Sequence, residues 1–156
     1  MEIRNFSKSD ISSIAGLMRR MADFHHGLDP EYKAGEGYDD LEGEIESWLA
    51  DADILVLMAE EDGTVAGYMR ISIELAPAYL DEKKIGLVDD IFVTENYRRR
   101  GIAELLFAKA KDWFSKKRAH SVELNVDVRN KDAIKLWKKL GFNEQKLRMR
   151  RLLDGN

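Results

Sequence analysis

The stretch that most constrains this chain runs from Val88 to Ala103: Val-Asp-Asp-Ile-Phe-Val, then Thr-Glu-Asn-Tyr, then Arg98, Arg99, Arg100, Gly101, Ile102 and Ala103. It reads as a strand that feeds a helix through a charged turn. The helix follows because Ile102, Leu105, Leu106, Ala110, Trp113 and Phe114 form one apolar stripe at helical spacing. A helix N-terminus leaves backbone N–H groups without partners and carries the positive end of the dipole. Three arginines beside it make an anion site, and phosphate is the natural anion. Taken alone, the same residues also suit a solvated surface turn.

The flanking chain supplies more elements. Residues 2–6 read as a short strand. Ser7 or Ser9 then caps a helix marked by Ile11, Ile14, Ala15, Leu17, Met18, Met21 and Phe24, which ends at Gly27 and Pro30. Leu41, Ile45, Trp48 and Leu49 mark a short second helix with an acidic outer face. Residues 54–59 and 65–73 are strands joined at Glu61-Asp62-Gly63-Thr64, because Asp-Gly tolerates the positive φ of a tight hairpin. A strand over 85–93 leads into the opening stretch, and 121–126 alternates as another strand. Asn130 heads a last helix closed by Gly141, and 142–152 is expected as a final strand. This order, with strands and helices interleaved, predicts an α/β (α+β) fold with a mixed sheet and helices on both faces, in a single domain over residues 1–156.

Several functions are excluded or disfavoured. The chain has no cysteine, so disulfides, a thiolate nucleophile and a cysteine-based zinc site are ruled out. No metal site is expected. No signal peptide and no apolar run of membrane-spanning length is visible, so a cytoplasmic protein without a membrane partner is expected. The net charge of −4 hides an asymmetry: residues 29–62 carry 13 acids and one base, whereas residues 97–118 carry 8 bases against two acids and residues 129–151 carry 9 bases against two acids. The basic segments lack aromatics arranged for base stacking, and the acidic half would repel a duplex, so nucleic acid is not the expected partner. Neither a Gly-x-Gly-x-x-Gly nor a Gly-Lys-Ser/Thr loop is present, which disfavours a dinucleotide or triphosphate site.

Two motifs together carry a family resemblance. Arg98-Arg99-Arg100-Gly101-Ile102-Ala103 fits Gln/Arg-x-x-Gly-x-Gly/Ala. Residues 130–142 fit Asn-x-x-Ala-x-x-Leu-Tyr-x-x-x-Gly-Phe except that Trp137 stands at the tyrosine. In this order, with a hairpin before and a strand between, they resemble the GNAT superfamily of acetyl-CoA-dependent N-acetyltransferases. The resemblance is strongest over 85–142, which it implies is the coenzyme A-binding core, with acceptor-side elements at about 7–50. It implies a mostly antiparallel sheet of six to seven strands, with strands 4 and 5 splayed at a bulge.

The resemblance also implies roles. Arg98 to Ala103 would cradle the pyrophosphate of acetyl-CoA, with Gly101 allowing close backbone approach. Ile91, Phe92 and Val93 would pair their backbone with the pantetheine arm and offer an oxyanion donor. Asn130 would help hold the pantetheine, and Lys131, Lys135 or Lys138 could meet the ribose phosphate. His25, His26, Tyr32 and Tyr38 fall on the acceptor side. A homodimer is compatible with the family.

The chemistry asks for a base. An alkyl ammonium has a pKa of roughly 10.4, so at pH 7 only about one molecule in 2,500 is a free amine, a handicap of about 4.6 kcal/mol. Asp89 is the first candidate to take that proton and Asp90 the second. Strand alternation predicts that one points into the cleft and the other away. Trp137 can donate a hydrogen bond but cannot deliver a proton to the leaving thiolate, and Tyr32, Tyr38, Tyr68 or Tyr97 could substitute for it. That gap motivates an alternative, an acyl-CoA-binding or sensing module without catalysis. As an enzyme, the chain is expected to acetylate a small-molecule or peptide amine, and the acidic run at 29–62 favours a cationic one.

Overall fold

The computed structural model describes residues 1–81 and 83–153, in two compact units divided between Asn125 and Val126. The first unit holds β1 (Glu2–Asn5), α1 (Ile11–Leu28), α2 (Leu41–Trp48), β2 (Ile54–Glu61), β3 (Thr64–Leu75), β4 (Lys84–Val93), α3 (Ile102–Lys116) and β5 (Ser121–Leu124). One sheet in the order β1-β2-β3-β4-β5 runs through it. Its first four strands are antiparallel, and β5 lies parallel to β4. The parallel step requires a crossover, which α3 supplies.

Local sequence explains the main turns and faces. Asp62 and Gly63 both have positive φ, 50° and 76°, as a two-residue hairpin between right-twisted strands demands. Alternation on β2 and β3 then sorts side chains by face. Val56, Met58 and Tyr68, with Phe92 of β4, pack against Ile14, Leu17, Ile45 and Trp48 of α1 and α2. On the other face α3 lies close over the sheet. Gly86 is under the Phe114 ring, where a Cβ would come within 2.5 Å of the ring.

The second unit contains α4 (Lys131–Lys139). Asn130 caps its start, its Oδ1 accepting from the Ala133 N–H at 3.2 Å. Its end is a Schellman turn on Gly141 (φ 93°): the Phe142 N–H donates to Trp137 O and the Gly141 N–H to Lys138 O. The apolar contact that accompanies such turns is present, with the Trp137 and Phe142 rings 5.2 Å apart. The final strand expected over 142–152 does not form, so the sheet has five strands rather than six or seven. Alternation gives a segment two distinct faces, but only a neighbouring ladder makes it a strand. This segment has no ladder partner among the described residues, and Leu147 and Met149 are exposed.

Candidate functional site

The site is built around an irregularity in β4. Arg70 of β3 pairs with Asp90, but the next residue, Ile71, pairs with Val88. Asp89 is therefore the extra residue of a β-bulge, a device that re-aims a side chain. The bulge cancels the alternation expected between the two acids. Val88 shares a face with Ile71, the pleat turns Asp89 to the opposite face, and Asp90 follows Arg70 onto that same face. Strict alternation would have separated the two carboxylates, and the bulge brings them together.

Their surroundings differ. Asp90 Oδ2 accepts from Arg70 Nε at 2.7 Å, and the Arg70 guanidinium stacks on Trp48 at 4.6 Å. Asp89 Oδ2 is buried with no hydrogen-bond partner. Burial pushes the Asp89 carboxyl above its ordinary value. The Ser72 hydroxyl and the Arg70 charge oppose that rise, and Asp90 and Glu74 add to it. A buried carboxylate oxygen left open beside a cleft strand is suited to accept a proton.

The edge of β4 beside this pair is open. β5 pairs with Ile85 to Val88 and ends at Leu124, so from Asp89 to Val93 the outer edge has no strand partner among the described residues. The Thr94 N–H donates to Ala66 O. By the two-residue repeat of an antiparallel ladder, Phe92 and Asp90 also turn their backbone to β3, while Ile91 and Val93 turn theirs to the open edge. Phe92 thus belongs to the β3 ladder and the core. Ile91 and Val93 are the residues whose backbone an added strand would find.

In the loop that follows, Arg99 (φ 61°) and Gly101 (φ 75°) are both left-handed. Arg99 carries a Cβ, so its conformation costs about 1 kcal/mol or more and marks a constrained loop. Gly101 heads α3 without a side-chain cap, and a Cβ there would face open space apart from Glu104 Oε2 at 3.9 Å. Ile102 is buried and anchors the helix, with Ala103 following in the first turn. The three arginines are not equivalent. Arg98 Nε donates to Val93 O at 2.9 Å, and its guanidinium lies between the rings of Phe24 and Phe92 at 5.9 and 5.5 Å. Arg100 reaches Glu61 at 3.4 Å and stacks on Tyr97. Arg99 keeps its charge uncommitted among the described residues. This loop and the unpaired edge of β4 are the parts that the resemblance assigns to the pyrophosphate and the pantetheine arm.

On the acceptor side, His25, His26 and Tyr32 are brought together. His26 Nδ1–H donates to the Tyr32 carbonyl at 2.6 Å, and the His25 ring meets those of Phe24 and Tyr32 edge-on. Tyr38 is not in this cluster and lies under Lys33. The loop is tied to α1 by the Gly35 N–H, which donates to Asp23 at 2.7 Å, and a Cβ on Gly35 would strike the Arg19 carbonyl. Part of the acidic run is already paired: Glu42 with Arg19 and Glu46 with Lys8. Tyr68 is fully buried, its hydroxyl reaching only Met21 Sδ at 3.9 Å, and burial drives its phenol well above the ordinary value. Asn130 spends its Oδ1 on the α4 cap, and Trp137 is buried in the Schellman contact. Among the described residues, no group of three or more His, Asp or Glu could hold a metal ion, and no helix is long and apolar enough to cross a membrane.

Sequence reasoning missed Arg70, Trp48 and Ser72 at the carboxylate pair. It also missed Arg20 and Phe24, which tie α1 to the end of β4 and the loop before α3. Arg20 lies over the Phe92 ring and pairs with Glu95. Counting back along β3 and β4 from the Leu75–Lys84 pair would set Arg70 opposite Asp89, and the bulge at Arg70/Ile71 moves it to Asp90.

Comparison with known proteins agrees with this geometry. The family model described as the acetyltransferase (GNAT) family matches residues 20–142. An N-alpha-acetyltransferase of Sulfurisphaera tokodaii is 39% identical over 112 residues, 69% of this chain and 67% of its own. A point mutant of the BH1408 protein of Bacillus halodurans shares the fold with a TM-score of 0.90 at 21% identity, over 98% of this chain and 99% of that one. An aminoglycoside N-acetyltransferase, AAC(6')-Iy, solved in complex with CoA, superposes with a TM-score of 0.74 at 23% identity, over 97% and 98% of the two chains.

Proposed function

Because the chain belongs to the acetyltransferase (GNAT) family and is an N-acetyltransferase, we propose that it transfers the acetyl group of acetyl-CoA to a primary amine by direct attack, with Asp89 as general base. The observation that carries the proposal is the bulge: it leaves Asp89 Oδ2 buried and unpartnered beside the open edge of β4. Acetyl-CoA supplies an activated thioester. The chain supplies the rest. The loop from Arg99 to Ala103 takes the pyrophosphate. Ile91 and Val93 align the pantetheine arm and present a backbone N–H where negative charge develops on the thioester oxygen. Asp89 takes the proton that the amine must lose. Asp90 is the weaker candidate, since Arg70 already holds it.

The acceptor we favour is cationic. The acidic stretch at 29–62 supports this, as does the fold shared with an aminoglycoside N-acetyltransferase. The archaeal relative's name points instead to α-amines of peptides. The alternative of a binding module without catalysis rests on Trp137 alone. A thiol has an ordinary pKa near 8.5, so its thiolate leaves without a dedicated acid at a tolerable cost.

The test is thiol release from acetyl-CoA with neamine, spermidine and a peptide bearing a free α-amine and a lysine. The expected outcome is turnover with at least one cationic acceptor. Binding of coenzyme A without thiol release on any of them would favour the binding module. Gly101→Asp serves as the control. It forces a side chain onto a positive φ and sets a carboxylate against the pyrophosphate, so coenzyme A affinity should drop by about a hundredfold or more in calorimetry. Unchanged affinity would remove the cradle from the reading.

A further inference from the structure

Two residues one helical turn apart on α1, Arg20 and Phe24, reach across to the end of β4 and the loop before α3. We propose that they are positioning residues for coenzyme A: they hold Arg98 in place as the stop at which the arm's pairing with β4 ends, and in return the bound cofactor steadies the end of α1 that carries His25. This rests on the reading of β4 and the loop before α3 as the coenzyme A site.

The register shows what Arg98 stops. The Thr94 N–H turns to β3, so the Val93 carbonyl turns to the open edge. An added strand running along Ile91 would meet that carbonyl next. Arg98 Nε already donates to it at 2.9 Å. A ligand laid along the edge therefore leaves the strand here, where the chain itself turns toward α3. Arg98 is exposed and long, and an exposed ion pair alone would not fix it. The contacts from α1 do. Its guanidinium meets the Phe24 ring at 5.9 Å and the buried Phe92 ring at 5.5 Å. Arg20 lies over the same Phe92 ring at 5.5 Å. Glu95 joins the two arginines, pairing with Arg20 and, at 3.5 Å, with Arg98, and so offsets their repulsion.

Phe24 carries the contact onward. Its ring meets the His25 ring at 5.7 Å, and the His25 ring meets that of Tyr32 at 5.5 Å. The Tyr32 N–H donates to the Asp29 carbonyl just past α1, and the Asp29 N–H to the His25 carbonyl, so this loop hangs from the last turn of the helix. A cofactor that needs Arg98 in place thus favours the arrangement of rings beyond it, and coupling of this kind is reciprocal.

The test uses coenzyme A itself, in calorimetry and amide hydrogen exchange. Wild type should bind, and exchange over residues 20–32 should slow about fivefold or more in the complex. Phe24→Ala should weaken binding about tenfold and lose that slowing, with circular dichroism unchanged. Phe24→Tyr, which keeps a ring, should restore both. Arg98→Lys keeps a charge for phosphate but not the plane that the rings hold, so it should also lose about tenfold, and adding Phe24→Ala to it should cost little more. Arg20→Ala should lose about threefold. Wild-type affinity in folded Phe24→Ala or in Arg98→Lys overturns the proposal, as does exchange over 20–32 that bound coenzyme A leaves unchanged in wild type. Failure of wild type to bind coenzyme A overturns instead the cofactor reading on which it stands.

Discussion

Two regions of the first unit are assembled from the same parts, an arginine, two carboxylates and a serine. At the N-terminal junction these are Arg4, Asp10, Glu60 and Ser7. At the β4 bulge they are Arg70, Asp90, Asp89 and Ser72. In the first, every carboxylate is served. Arg4 grips both oxygens of Asp10 at 2.8 and 2.9 Å and reaches Glu60 at 2.6 Å, while the Ser7 N–H and hydroxyl both donate to Asp10 Oδ2. The Arg4 hydrogen bonds lead in holding the Asp10 carboxyl down to about 2. In the second, Arg70 serves only Asp90, and Asp89 is left with an open oxygen and a raised carboxyl. Asp10 is itself buried, yet it is the more acidic of the two. The number of partners at the carboxylate separates an acid held ionised from one that its burial raises.

That contrast breaks first at Asp89. Asp89→Asn should lower kcat/KM about a hundredfold at neutral pH, the low end of what a positioned base contributes. The deficit should narrow toward pH 10, where the acceptor amine loses its proton unaided. Stability should not suffer. A carboxyl whose folded value lies above its unfolded one costs stability as pH rises through that interval, so the amide removes a penalty. A rate loss equal at every pH, or a lower melting temperature, would make Asp89 structural.

Asp10→Asn should do the reverse. Lowering from 3.8 to about 2 corresponds to about 2 kcal/mol of stability. That stability is fully present above the unfolded value and is lost as pH falls from about 4 through 2. Denaturant melts of wild type should show the loss across this window. Asp10→Asn should start about 2 kcal/mol lower at pH 7 and lack that slope, with unchanged turnover per folded molecule.

The same contrast explains what was legible in the sequence. The hairpin at Asp62-Gly63, the turn at Gly101 and the Schellman cap at Gly141 were readable because each needs a positive φ that few residues adopt. Asp89 and Asp90 were visible as first and second candidates, but that both lie on one face of the sheet was not. It depends on a one-residue slip between β3 and β4, and a slip leaves no mark in an alternating sequence. The unformed strand over 142–152 is the complementary case. Leu147, Met149 and the bases between them alternate as a strand should, but alternation does not supply a partner. Arg98 looked like a phosphate ligand from its position in the motif. Its contacts with Val93, Phe24 and Phe92 show it also fastening α1 to the loop.

Asp90→Asn probes the contrast at its smallest scale, because it alters the bulge cluster without touching the proposed base. Two effects follow from removing that charge, and they act in the same direction. Asp90 is one of the groups that raises Asp89, so its loss lowers the Asp89 titration. Arg70 also loses its partner at 2.7 Å and can turn toward Asp89, the other carboxylate within its field. The cluster would then resemble the N-terminal junction, with one arginine serving the carboxylate that matters. The acidic limb of the pH profile should shift to lower pH. At neutral pH the rate should fall by about threefold, since a carboxylate held by a guanidinium is a poorer base. An acidic limb that stays in place while the melting temperature drops would mean that Asp90 and Arg70 support the bulge and leave the chemistry of Asp89 to its burial.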